Sequence, residues 1–263
     1  MQTTQFASVY GPVKSWRFGR SLGIDPIGSV STCSFNCVYC QLGEIEQQNA
    51  TRKIFVPTER IRQDLLGFQP WDIDVITLSG SGEPTLAQNL GEIITMAQIL
   101  TGKSVGVLTN GSLLGDSSVR AELAIADFVA VKIDAVCDQQ FQGINRPVQN
   151  LTLDKIWSGL KQFRQRYRGQ LAIQTMLLSP WRDQDQINYI THLQELCPQE
   201  IQLNTPTRPK PLEHQLDARG NHELLQSYPV RSLKPVSEEV LKQFRDRIQA
   251  VLDVPVRYPA LIH

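Results

Sequence analysis

Short runs rich in β-branched and apolar residues alternate along this chain with longer amphipathic stretches, and that alternation constrains the fold more than any other feature. Parallel strands need a crossover between them, usually a helix, so the pattern specifies an α/β fold with a parallel sheet. Strands are predicted over residues 27–31, 74–79, 105–109, 128–133, 171–177 and 200–203. Helices are predicted over 58–66, 87–100, 116–124, 154–167, 183–196 and 237–252. Ile156, Leu160, Phe163 and Tyr167 recur at helical spacing and mark one buried face. Lys161, Arg164, Arg166 and Arg168 fall mostly off that face and read as a solvated surface. Asp183 with Gln186 reads as a capping arrangement opening a helix. In the last helix, Val240, Phe244, Ile248 and Val251 form the docking stripe.

Six strand–helix units are too few for a closed eight-stranded barrel and suit an open, partial one, a TIM-like (β/α)6 arrangement. A doubly wound sheet has the same periodicity and is the competing topology. The stretch 205–235 is rich in Pro, Arg and His and reads as an irregular excursion, and a loop of that length within a domain commonly carries function. Residues 1–204 are therefore expected to form the core and 205–263 an extension packed on it.

Composition excludes more than it assigns. The chain has 263 residues, 26 Lys+Arg against 26 Asp+Glu, and 41% hydrophobic residues, as in an ordinary globular protein. A chain of zero formal charge has no whole-surface field for nucleic acid, which leaves local basic patches. The first ten residues are polar and lack the apolar run of a signal peptide, and no run of about 18 apolar residues suggests a membrane span. Five cysteines, an odd number, point to a reducing, cytoplasmic setting rather than a disulfide framework.

Three of those five, Cys33, Cys37 and Cys40, lie within eight positions, spaced Cys-x3-Cys-x2-Cys just after the first predicted strand. Soft thiolates on one short loop select zinc or an iron–sulfur cluster. A structural zinc site wants four closed ligands, and the nearest histidine is His192, so zinc would need Cys137 or Cys197 as the fourth. A cubane held by three cysteines instead keeps one iron open for another ligand. Beyond that role, Cys137 and Cys197 are isolated and are expected to be buried, inert thiols.

The segment Cys-Ser-Phe-Asn-Cys-Val-Tyr-Cys resembles the signature of the radical S-adenosylmethionine (SAM) enzymes, Cys-x3-Cys-x-aromatic-Cys, with Tyr39 at the aromatic position. The resemblance implies a [4Fe–4S] cluster on Cys33, Cys37 and Cys40, whose open iron chelates the amino and carboxylate groups of SAM. One electron then cleaves SAM into methionine and a 5′-deoxyadenosyl radical that abstracts a substrate hydrogen. It also implies that Tyr39 packs beside the adenine. A low-potential donor of flavodoxin or ferredoxin type would supply the electron.

The carboxyl ends of parallel strands are where ligands collect in α/β folds, and here they carry polar residues. After the second strand, Gly80, Gly82 and Glu83 lie in Ser-Gly-Ser-Gly-Glu-Pro-Thr, which is similar to the Gly-Gly-Glu motif that holds the methionine amino group in that family, with Ser81 in place of one glycine. A plain tight turn with a surface glutamate is the other reading. As a dinucleotide fingerprint the segment fails, because the third glycine is missing. Asn110 sits in Thr-Asn-Gly-Ser, either a turn or a ligand contact. Lys132 and Asp134 share one side of the fourth strand; the resemblance implies contacts to the ribose and carboxylate of SAM, and a salt bridge is the plainer alternative.

Arginines beside aromatics or prolines mark candidate substrate contacts: Arg17 and Arg20, with Lys14, Trp16 and Phe18 around them, Arg146 in Ile-Asn-Arg-Pro, and Arg208 in Asn-Thr-Pro-Thr-Arg-Pro. These side chains suit phosphate, carboxylate or base-stacking recognition. With Gly-Arg-Ser-Leu-Gly-Ile-Asp-Pro ahead of the cysteines, they resemble the radical SAM group related to wybutosine-synthesis proteins, over roughly residues 11–209. The chain departs from wybutosine synthases proper in being short, in lacking a flavodoxin-like segment and in lacking a second three-cysteine cluster. A tRNA base is the leading substrate expectation. Activation of a protein by formation of a glycyl radical is the second, and a zinc-stabilised nucleic-acid-binding module is the alternative from a different class. No residue is assigned as a hydrogen donor or acceptor, and no oligomeric state is implied.

Overall fold

The computed structural model describes residues 6–220 and 228–259. Its centre is an eight-stranded sheet formed by β1 (Val9–Ser15), β2 (Gly19–Ile24), β3 (Val75–Leu78), β4 (Ser104–Thr109), β5 (Phe128–Lys132), β6 (Gln170–Met176), β7 (Glu200–Asn204) and β8 (Val256–Arg257), adjacent in that order. From β2 to β8 every neighbouring pair is parallel, and β1 folds back antiparallel on β2 as a hairpin. The connections carry α1 (Thr58–Leu66), α2 (Leu90–Thr101), α3 (Ser117–Leu123), α4 (Asp138–Ile144), α5 (Leu153–Arg166), α6 (Asp183–Leu196) and α7 (Glu238–Gln249).

Strand order follows chain order without reversal. A doubly wound sheet reverses at a switch point, because its helices cover both faces. Here the helices cover one face and the sheet curls into the partial (β/α)6 TIM-like barrel expected from the sequence.

Strand residues alternate accordingly. Ile76, Leu78, Val105, Val107, Val129 and Val131 belong to the apolar core under the helices. The residues between them, such as Thr77, Gly106, Ala130 and Lys132, face the barrel interior and stay outside that core. A Cβ on Gly106 would meet the Phe128 ring at 2.0 Å, so glycine is what lets this ring lie flat across the lower barrel, where Phe18 stacks on it at 5.1 Å.

Several boundaries correct the sequence reading. The first parallel strand is β2, not 27–31; there the chain turns, because the Asp25 carboxylate accepts from the amides of Ile27 and Gly28 and Gly28 takes φ +104. The β1 hairpin, α4 and β8 were not expected. Helix α6 has Arg182 as its N-cap without a side-chain cap bond. Asp183 pairs instead with Arg247 at 2.5 Å, and Gln186 donates back to the Trp181 carbonyl.

On α5 the expected face holds: Ile156, Leu160, Phe163 and Tyr167 are all buried. On α7 the buried stripe is Leu241, Phe244 and Ile248, whereas Val251 is half exposed. Cys197 ends α6 in a left-handed conformation and is exposed rather than buried. Within residues 205–235, short two-residue strands pair Lys210–Pro211 with Val230–Arg231. Among the described residues no helix is long and apolar enough to cross a membrane.

Candidate functional site at the carboxyl ends of the strands

The cysteine loop leaves the carboxyl end of β2 and is tied down on three sides. Toward β3, Thr32 N donates to the Ser81 carbonyl at 3.1 Å and Glu83 N donates to the Thr32 carbonyl at 3.1 Å. Gly80 and Gly82 make this approach possible: a Cβ on Gly82 would lie 1.7 Å from the Thr32 carbonyl oxygen, and one on Gly80, at φ +141, would strike the Asp25 side chain. Toward α4, Asn36 N and Val38 N donate to the carbonyls of Asn145 and Ile144, and Val148 N donates to the Ser34 carbonyl. Above the loop, residues 210–215 pass as a strap. Gln215 N donates to the Leu42 carbonyl, His214 Nδ1 lies 3.1 Å from the Glu46 carboxylate, and Lys210 donates to Glu44 and to the Cys37 carbonyl.

Cys33, Cys37 and Cys40 are free, half-buried thiols on this loop. Burial is the main cause that raises the pKa of all three, Cys33 most strongly and Cys37 to about 11. The Glu83 charge raises Cys33 further, while Lys132 counteracts the rise at Cys37 and Cys40. Two asparagine amides aim at the sulfurs: Asn110 Nδ2 is 3.5 Å from Cys33 Sγ, and Asn145 Nδ2 is 3.5 Å from Cys37 Sγ.

This donor set fits an iron–sulfur cluster: three soft ligands on one backbone-braced loop, with N–H donors directed at two of them. Among the described residues no group of three or more His, Cys, Asp or Glu is gathered around a position for a metal ion. A single zinc would draw its sulfurs to about 2.3 Å from one centre, whereas a cubane receives each thiolate on a different iron. Cys197 lies at the far end of α6, next to the start of β7, and is not a fourth ligand at this loop.

Glu83 is buried and accepts four hydrogen bonds, from Thr85 N, Thr85 Oγ1, Thr109 Oγ1 and Asn110 N, three of them on one oxygen. Burial raises its pKa, and among the described residues no cationic side chain pairs with it. The other oxygen, Oε2, takes only the Asn110 amide. A carboxylate in this state can receive one further charged donor.

Asp134 is buried at the end of β5. Its oxygens accept from the Tyr39 hydroxyl, from Asn145 Nδ2 at 2.7 Å and from Met176 N at 2.8 Å. Lys132 Nζ stands 4.7 Å from the centroid of the Tyr39 ring. The structure thus brings Tyr39, Lys132 and Asp134 into one cluster. Asn145, quoted in the sequence only for the arginine beside it, turns out to bridge that cluster to Cys37. No periodicity marks such a residue, and the positive φ of its neighbour Arg146, 47°, is visible only in the structure.

The four candidate arginines separate. Arg20 faces the helix side and pairs with Asp72. Arg146 lends its carbonyl to Asn36 N and Gln48 Nε2 beside the cysteine loop. Arg17 and Arg208 come close enough for their charges to interact, together with Arg257, which sequence reading had not singled out.

A family model described as the radical SAM superfamily matches residues 28–190. The chain is 52% identical over 256 residues to a UPF0026 protein of Synechocystis sp., covering 97% of each. It is 36% identical over 206 residues to a UPF0026 protein of Methanocaldococcus jannaschii, covering 76% of this chain and 64% of that one. Among solved structures, SuiB of Streptococcus suis bound to S-adenosylmethionine superimposes with a TM-score of 0.63 at 12% identity, covering 88% of this chain and 49% of SuiB. The chain therefore spans about half the length of SuiB, and that likeness is one of fold.

Proposed function

Since this chain belongs to the radical SAM superfamily, we propose that Cys33, Cys37 and Cys40 hold a [4Fe–4S] cluster and that the residues around them hold SAM. When bound, the pair supplies reductive cleavage of SAM to methionine and a 5′-deoxyadenosyl radical that takes a hydrogen from the substrate. The observation that carries this reading is Glu83, a buried carboxylate with no cationic partner among the described residues, beside three free thiols, which suits the SAM amino group. Gly80 and Gly82 act by letting the cysteine loop reach Glu83. Asn110 sets the Cys33 side of the site, and its main-chain amide orients Glu83.

Asp134 braces Tyr39, so the Tyr39 ring is held beside the thiols at the position the family uses for adenine. Lys132, over the same ring, offers a charge toward the barrel interior. Strap residues 210–215 and the surrounding loops limit water at the cluster, which protects a centre with an open iron.

For the substrate we propose a tRNA base first, in keeping with the motifs that resemble the wybutosine-related group, and a protein activated as a glycyl radical second. The electron donor would be a flavodoxin or ferredoxin.

The test is anaerobic reconstitution followed by metal analysis and product assay. Iron and sulfide in about a four-to-four ratio, and 5′-deoxyadenosine released with SAM and reductant, are expected, and both should be lost in Cys33→Ala. Zinc without iron, or a Cys33→Ala protein indistinguishable from wild type, would falsify the proposal. Repeating the assay with tRNA and with protein fractions separates the two substrate classes by which one raises deoxyadenosine formation.

A further inference from the structure

Between the cysteine loop and the stacked rings of Phe128 and Phe18, the barrel interior is lined by polar or small side chains, among them Thr77, Ala130, Gln174 and Gln202. Strands of five to seven residues separate the two ends, a span of about 17–23 Å. At the far end, where the parallel strands begin, the turn between β1 and β2 carries Trp16, Arg17 and Phe18.

Arg17 is the unusual residue there. Among the described residues its guanidinium has no hydrogen-bond acceptor and no ion-pair partner, and its Nε is fully buried. Its charge lies 4.4 Å from the centroid of the Trp16 ring. The nearby carboxylate, Glu200, accepts on one oxygen, Oε1, from Arg257 Nη1 at 3.3 Å and from Gln202 Nε2 at 3.1 Å, and acts on Arg17 through its charge without a hydrogen bond.

Arg257 in turn clamps the turn from behind, donating to the carbonyls of Trp16 and Arg17. Arg208 approaches from the cysteine-loop side, where its Nη1 donates to Gln41 Oε1 at 3.3 Å and to the Gly220 carbonyl at 2.6 Å. Burial first, then the charges of Arg208 and Arg257, lower the Arg17 pKa to about 10. A buried guanidinium N–H without an acceptor is costly unless a ligand supplies one. Here the fold clamps the turn that carries such a group in place.

We propose that Arg17 is the receptor for an oxyanion group of the substrate, a phosphate or a carboxylate, held at the closed end of the barrel with Arg208 adding positive charge. This rests on reading the barrel interior as the substrate chamber of the proposed enzyme. It implies that the hydrogen abstracted lies on the end of the substrate remote from its anionic group, because the thiols and Arg17 occupy opposite ends of the chamber.

Calorimetric titration of the anaerobic holoenzyme with inorganic pyrophosphate and with citrate tests the site. The wild type should bind at least one of them, and Arg17→Gln should weaken that binding by about tenfold or more, the loss expected for a charged hydrogen-bonded contact. Arg17→Lys should recover part of it. Tighter pyrophosphate binding assigns a phosphate, and tighter citrate binding assigns a carboxylate.

In the absence of anion, Arg17→Gln should melt no lower than wild type, since the buried Nε it removes has no acceptor. If Arg17→Gln does not fold, phenylglyoxal labelling of the wild type replaces it: pyrophosphate or citrate should shield Arg17. Absence of anion binding, unchanged binding in Arg17→Gln, or labelling of Arg17 that neither anion slows overturns the inference. These outcomes are distinct from failure of the radical reading, which shows as wild-type protein that cleaves no SAM whether or not it binds the anion.

Discussion

At the scale of single residues, the site is built from polar groups shared between neighbours. Asn145 Nδ2 serves both Asp134 and Cys37, so one amide links the support of Tyr39 to a candidate cluster ligand. Hydrogen bonds to cluster sulfurs stabilise the reduced, more negative state. Asn145→Ala is therefore expected to move the midpoint potential of the reconstituted cluster to a more negative value, read by a redox titration followed by electron paramagnetic resonance. The cysteines, Glu83 and Asp134 were legible in the sequence, because each is a reactive residue type at a telling spacing or strand end. Asn145 and Arg257 were not. Their importance lies in partners 108 positions away for Asn145 and 241 positions away for Arg257, and local pattern holds no trace of such pairings.

At the scale of elements, the cysteine loop depends on the turn after β3 as much as on its own residues. Gly82→Ala would force a methyl group into the Thr32 carbonyl, a backbone atom that cannot swing aside. We expect a loss of about 1–3 kcal/mol, measured as a lower urea midpoint, together with reduced iron retention after reconstitution.

The sequence misplaced the first strand here. Residues 27–31 look like a strand by composition, yet Asp25 folds them into a turn by accepting two successive amides. Long helices such as α5 and α6 were legible almost to the residue, because many periodic positions vote together. Short elements such as α4, with one buried residue, carry too few positions for a signal.

At the scale of the whole molecule, Asp25 joins distant parts of the chain. It is fully buried and receives Arg219 Nη1 at 2.8 Å, Ser81 N at 2.9 Å and Ser81 Oγ at 2.6 Å. Arg219 also donates to the Ala7 carbonyl and lies over the rings of Phe6 and Tyr10. One ion pair thus ties the amino-terminal segment, the base of the cysteine loop and the residues after the strap. Asp25→Asn leaves a buried guanidinium without its counter-charge and is expected to cost about 3–5 kcal/mol. Arg219→Met should cost less, since four N–H and O–H donors from Ile27, Gly28 and Ser81 still satisfy the carboxylate. Urea denaturation of the two single variants and the double variant checks both the order and the coupling.

The sequence by itself determined the α/β class, the number of strand–helix units and the loop that carries the three thiols. Those properties reside in local periodicity and in residue chemistry at short spacing. Only the tertiary structure decided between a partial barrel and a doubly wound sheet, because the choice depends on which face every helix covers. It also decided which arginine, among the described residues, keeps a buried Nε without an acceptor. Arg257 from another strand holds the turn and takes one Glu200 oxygen, and charge compensation in a partial barrel is settled by contacts across the fold rather than along the chain.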